Sequence, residues 1–352
     1  MNHLCSETTA LLEDIEKRIN PEVEEDLAFC WKEFLYDRFE GDIFIPHRKL
    51  ISAPKVAHRD ININDAVEDY ELMLASQMQS VSNMLSSHHS SLCIRANYGT
   101  GILSSLFGAG IFKMPRETNT LPTTRSLNDT EKIREIAERG LPDLMGGFGR
   151  RVFEFGEYAA EVLARYPKIS RYVEVYHPDI QGPLDICELL WGGEMFYAMY
   201  DEEELVHGML RLITDTYSAF LEKWYEIYPA NSEMNIHWGG LRHRGKIVLR
   251  DDSAMNLSPA LYEVFAAPYD GELLQRFDGG IVHFCGRGDH YIETLSGLPG
   301  LYGINMSQPE LNDMEKIYRC TVDRGIKILG FSHEWAKKDV TREGGFCHNL
   351  SV

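Results

Sequence analysis

Residues 279–307 read GGIVHFCGRGDHYIETLSGLPGLYGINMS, where the alternation of the chain shows most clearly. Two short apolar runs, GGIVHFCG (279–286) and GLYGINMS (300–307), lie either side of a segment punctuated by glycine and proline. Such runs bounded by turn residues read as strands. The texture repeats outward. SSLCIRAN in the 91–98 region, RYVEVYH (171–177), GKIVLRDD (245–252) and GIKILGF (325–331) are four more candidate strands. From residue 91 onward such runs are followed by loops rich in Gly, Pro and Asn, and then by helical stretches. Alternating strands and helices predict an α/β fold. Two weaker runs, GAGIFKM (108–114) and GGFCHNLSV (344–352), raise the number to eight, which is that of a (β/α)8 TIM-type barrel.

Helix signals fit this reading. Ser258-Pro259 sets a capping residue before a first-turn proline, and Ser307-Gln308-Pro309-Glu310 combines the same device with a capping box. Residues 8–90 look mostly helical, with Asn64 or Asp65 as a cap for AVEDYELMLASQMQSVSNML. The expected organisation is a helical extension over 1–90 packed on a barrel over 91–352, with no internal repeat or linker.

The 352 residues carry 35 Lys and Arg against 54 Asp and Glu, a net charge of −19. That charge repels polyanions, so nucleic acid and anionic membrane surfaces are not expected partners. The seven cysteines are odd in number and widely spaced, which points to reduced thiols and a cytoplasmic location. MNHLCSETTALLEDIEKR lacks the features of a signal peptide. No 18-residue uncharged apolar run is present.

In a TIM-type barrel the chemistry sits at the C-terminal ends of the strands. The polar residues there include Arg95, Asn97 and Tyr98; His177, Asp179 and Gln181; Asp252; and Asn305 and Gln308. Asp179 and Asp252 are the candidate catalytic carboxylates, and the others are candidates for binding substrate. The sharpest pattern is His283-Phe284-Cys285. Side chains at i and i+2 of a strand share a face, so imidazole and thiol would project together, and zinc accepts both. Cys347 is a candidate third ligand, in the last run. Cys320 competes for that place but falls in a helical stretch. An inert buried cysteine explains the H-x-C pattern as well. The basic patch of His237, Arg242, His243 and Arg244 suits either an anion or a solvated turn. Dinucleotide, P-loop and H-E-x-x-H motifs are missing.

The stretches IRANYGTGILSSLFG, HPDIQGPLDICELLWG, NLSPALYEVFAAPYDGELL, GGIVHFCGRGDH and LPGLYGINMSQPELNDMEKIY together resemble the uroporphyrinogen decarboxylase superfamily, whose fold is a (β/α)8 barrel. The resemblance spans roughly residues 90–352. The arginine-rich R-Q-A-G-R-Y type motif of the decarboxylase itself is absent. The pattern is closer to the zinc-dependent methyltransferases that move a methyl group between a corrinoid and a thiol, which carry H-x-C followed far downstream by a single Cys. The resemblance implies a zinc site of His283, Cys285 and Cys347, a corrinoid methyl carrier on a possible partner protein, and a small-molecule thiol substrate. A homodimer is a further expectation. Two alternatives stay open: a metal-free lyase acting on a carboxylated substrate around Arg95, Asp179 and His283, and a barrel that binds a corrinoid or tetrapyrrole without turnover.

Overall fold

The computed structural model describes residues 4–339 and 351–352. Helices dominate the first ninety residues because their caps and apolar spacing agree. Asn20 accepts from the Glu22 amide at the head of the helix Pro21–Leu35, with Pro21 in its first turn. The run after residue 62 divides in two. Asn62 caps a four-residue turn, and Asp69, not Asn64 or Asp65, caps the long helix Tyr70–Met84 by accepting from the Leu72 amide.

Ten strands lie among the described residues: β1 (Cys93–Ile94), β2 (Gly110–Phe112), β3 (Thr123–Arg125), β4 (Glu174–Val175), β5 (Asn235–His237), β6 (Leu241–His243), β7 (Ile247–Arg250), β8 (Gly280–Phe284), β9 (Leu301–Met306) and β10 (Lys327–Ile328). The six stronger candidate runs each contain a parallel strand. β1 pairs with β4, and β7, β8, β9 and β10 form one sheet in that spatial order. The fold is thus a mixture of helices and parallel sheet, as expected for α/β. These two parallel sets are not joined into one closed ladder among the described residues. The weaker run at 108–114 is no part of the parallel sheet. Its β2 forms an antiparallel hairpin with β3. The last run, 344–352, lies outside the described residues except for Ser351 and Val352, where Ser351 bridges Phe44 and its amide donates to Ile328 O.

Ser258 caps the helix Pro259–Phe265 as expected, accepting from the Leu261 amide. The box at Ser307 does not form. Pro309–Leu311 is a single 3-10 turn, and the following helix, Met314–Cys320, is capped by Asp313. No helix among the described residues is long and apolar enough to cross a membrane.

Strand alternation sorts the sheet into two faces. Ile247, Leu249, Val282, Phe284, Ile304 and Ile328 join the large core shared with the helices. Val248, Ile281 and Leu329 point the other way, into a second core with Trp31, Phe34 and Phe44. The second face carries the site. Two residues further along the same strands stand Arg250 and His283, with Asn305 beside them, in register across β7, β8 and β9.

Candidate metal centre and its two flanking cavities

His283 is the next residue after Ile281 on the second face of β8, at the C-terminal end of the strand. Its Nδ1 lies 2.6 Å from Asn305 Oδ1. Asn305 Nδ2 in turn donates to the Leu329 carbonyl at 2.6 Å. A backbone carbonyl only accepts, so the amide orientation is set, Oδ1 must face the ring, and His283 Nδ1 must carry the proton. Nε2 is left as a lone pair. It faces Cys285 Sγ at 3.4 Å and Asp252 Oδ1 at 3.5 Å. Burial lowers the His283 pKa, which keeps the ring neutral, and burial raises that of the Cys285 thiol.

Asp252 follows β7. Its Oδ1 accepts from the Cys285 amide at 2.8 Å, which ties the two loops together. Asp252, His283 and Cys285 offer one carboxylate oxygen, one imidazole nitrogen and one sulfur, all within 4.8 Å of one another. Among the described residues no other three His, Cys, Asp or Glu side chains are gathered this tightly. The donor set is one that zinc accepts, and the Asn305 bond to the far ring nitrogen is the outer support that metal-bound histidines commonly have. Cys347, the expected third ligand, lies outside the described residues. Cys320 is buried in its helix, away from this group.

Beside these three side chains opens a cavity of about 440 Å3 lined by Trp238, Arg250, Asp252, His283 and Asn305. Asp179 lies behind its wall and is bonded by both Arg95 and Arg250, while Trp238 Nε1 donates to it at 3.2 Å. Arg95 Nε also donates to Asn97 Oδ1 at 2.8 Å, which aligns the guanidinium. Arg250 and Asp252 thus bring one cation and one carboxyl group to the cavity, while Arg95 stands outside the lining, paired with Asp179. Burial, and then the charge of Arg95, bring the Arg250 pKa down to about 9, still above neutrality, so the side chain remains a cation. Its guanidinium lies 4.3 Å from the centre of the Trp238 ring, whose edge meets His283.

The remaining sequence candidates divide. Gln181 lines a separate cavity of about 550 Å3 that also touches Asp252. Gln308 accepts from the Gly286 amide at 2.6 Å and shapes the loop after β8. His177 is fully engaged with backbone: Nδ1 lies 2.8 Å from Pro178 O, and Nε2 accepts from the Val248 amide at 3.1 Å. Tyr98 is turned into the aromatic packing of Phe148 and Phe155, away from the ligand group. His237 and His243 are buried, and Arg242 is paired with Glu174, so these three are not a solvated turn. A third cavity, of about 500 Å3, opens at the opposite ends of the strands beside Ser91, Glu174 and Lys246, and none of Asp252, His283 and Cys285 reaches it.

Arg250 and Trp238 were missed by sequence reasoning. Arg250 was legible, because it is two residues after Val248 on an alternating strand. Trp238 comes from a 3-10 turn between β5 and β6 and carries no sequence signal.

A solved methyltransferase from Methanosarcina mazei is similar in structure, with a TM-score of 0.60 at 14% sequence identity, covering 92% of this chain and 91% of that one. At this identity the likeness speaks for the fold, which is methyltransferase-like. No protein-family model and no curated protein matches the chain.

Proposed function

We propose that the protein is a zinc-dependent methyltransferase that moves a methyl group between a corrinoid and a thiol, on a (β/α)8 barrel of which β1, β4 and β7–β10 are parts. The observation that carries this reading is the convergence of Asp252, His283 and Cys285 within 4.8 Å, with His283 Nε2 turned toward the other two. These residues would hold the metal, with Cys347 a further candidate ligand. A zinc ion there would supply the Lewis acidity that draws the proton from a substrate thiol and leaves its sulfur nucleophilic. The chain's own contribution is alignment. Asn305 fixes the His283 ring, and Asp252 fixes the Cys285 backbone. Arg250, the cation that lines the cavity, would hold an anionic part of the substrate, and Trp238 walls the cavity. Asp179 orients both arginines. The corrinoid would arrive on a partner protein, in a cytoplasmic setting.

A metal-free lyase is the second reading, favoured by the Arg95 and Arg250 pair, which suits a carboxylated substrate. The deciding experiment is metal content by mass spectrometry on protein purified without chelator or affinity metal, followed by transfer of the methyl group of methylcobalamin to a thiol, read from the cobalamin spectrum. The expected result is about one zinc per chain, lost in His283→Ala and Cys285→Ser together with transfer. Absence of zinc after anaerobic reconstitution would overturn the proposal, and activity that survives chelation would favour the lyase.

A further inference from the structure

A single peptide plane joins the support of His283 to Ser351. Asn305 Nδ2 donates to the Leu329 carbonyl at 2.6 Å, and the N–H of that same peptide, carried by Gly330, donates to Ser351 Oγ at 3.1 Å. A trans peptide is planar, with C=O and N–H pointing opposite ways, so Asn305 and Ser351 grip one rigid plate from its two ends. We infer that Ser351 is a positioning residue for the candidate metal centre, holding the Leu329–Gly330 peptide in the orientation that keeps His283 Nε2 open to an ion. The inference deepens the metal reading and rests on it for its zinc readout, but the state of the His283 ring is readable without metal.

Three observations carry it. The backbone of Ser351 is already anchored: its amide donates to Ile328 O at 2.9 Å, its carbonyl accepts from the Phe331 amide at 2.8 Å, and the Val352 amide donates to Phe44 O at 3.0 Å. The side chain, 1% exposed, is not needed for that pairing and is spent on Gly330. Next, Gly330 has a φ of +63°, and glycine takes either sign of φ at little cost, so the plate can turn over unless it is held. Finally, the plate abuts the site. Gly330 lines the same cavity as His283, and a Cβ on it would stand 3.0 Å from Asn305 Nδ2.

Turning the plate over has a definite chemical result. Its carbonyl would leave Asn305 and its N–H would replace it, so the side-chain amide must reverse and accept through Oδ1. Nδ2 would then donate to His283 Nδ1, and the ring proton would exchange through solvent to Nε2. That atom faces Cys285 Sγ and Asp252 Oδ1, and once protonated it offers a metal no lone pair. By accepting from Gly330, the Ser351 hydroxyl favours the tautomer that can bind.

Two measurements on the full chain at one pH test this. In metal-free protein isotope-labelled at histidine nitrogen, two-dimensional NMR shows which nitrogen of the His283 ring carries the proton, and chelator competition gives the zinc affinity. Wild type is expected in the Nδ1–H form. Ser351→Ala should populate the Nε2–H form and weaken zinc about tenfold, and Ser351→Thr, which keeps the hydroxyl, should restore both. Phe44→Leu loosens the neighbouring apolar packing without touching the plate and should change neither. Should Ser351→Ala fail to fold, Ser351→Val against Ser351→Thr makes the same comparison at constant shape. An Nε2–H ring in wild type, an unaltered tautomer in Ser351→Ala, a threonine variant as impaired as the alanine one, or an equal change in Phe44→Leu would each overturn the inference. Wild type that binds no zinc while Ser351→Ala still switches the tautomer would remove the metal reading and leave the hold of Ser351 on the ring standing.

Discussion

Ile281 and His283 point from the same face of β8, two residues apart, into opposite surroundings. Around Ile281 the face is closed by Val248, Leu329, Trp31, Phe34 and Phe44, with Phe34 and Phe44 stacked at 4.7 Å. Around His283 the same face carries Arg250 and Asn305 and opens into a cavity. Depth along the strand separates plug from site. The apolar end supplies burial, and that rigidity lets the polar end hold unpaired lone pairs in fixed directions.

Four substitutions sharpen the contrast, three in falling order of effect at neutral pH and a fourth read as a pH dependence. Trp31→Ala removes the largest side chain of the plug and should cost about 3–5 kcal/mol in urea denaturation, with the zinc content of the folded protein unchanged; loss of zinc would show that the two ends are not separable. Asn305→Ala acts at the other end. It should weaken zinc by about 10–100-fold in a chelator competition while shifting the urea midpoint less than Trp31→Ala does.

Gly182→Ala probes the seam between the two cavities. A Cβ there would stand 2.6 Å from Arg250 O and 2.7 Å from Asp251 Oδ1, so overpacking should cost about 1–3 kcal/mol by thermal melt. A neutral result would mean that the backbone yields.

The last test is read as a pH dependence and concerns Asp251 and Asp270, both wholly buried. Burial raises both carboxyls, that of Asp270 from 3.8 to about 7. A raised folded-state pKa gives stability that is present below the unfolded value and is lost as pH rises through the folded one. His177, His237 and His243 are lowered by burial, so their stability is lost as pH falls, and the two trends oppose. The test is therefore a difference. Asp270→Asn should gain stability relative to wild type as pH rises from about 4 to 7, by up to about 1.4 kcal/mol per unit, read as urea midpoints. A flat difference would mean that the carboxyl is ionised in the native state.

Much of this was legible along the chain. The six stronger runs all contain parallel strands because apolar runs between turn residues are a local signal. The pairing of His283 with Cys285 followed from strand periodicity. Capping was less secure: Ser258 caps its helix, but Ser307 faces Cys285 Sγ at 3.4 Å instead. A hydroxyl at the end of a strand has two competing partners, and the choice between them is tertiary.

The α/β alternation, the acidic charge and the strand end at which imidazole and thiol stand together are local properties of the chain, since each depends on composition or on a period of two. That Asp252 joins them, and that Arg95 and Arg250 share Asp179, came from the packed fold alone. Those contacts join residues 33 to 84 positions apart, or residues on separate loops. Their geometry is set by how strands and helices pack, which no local pattern encodes.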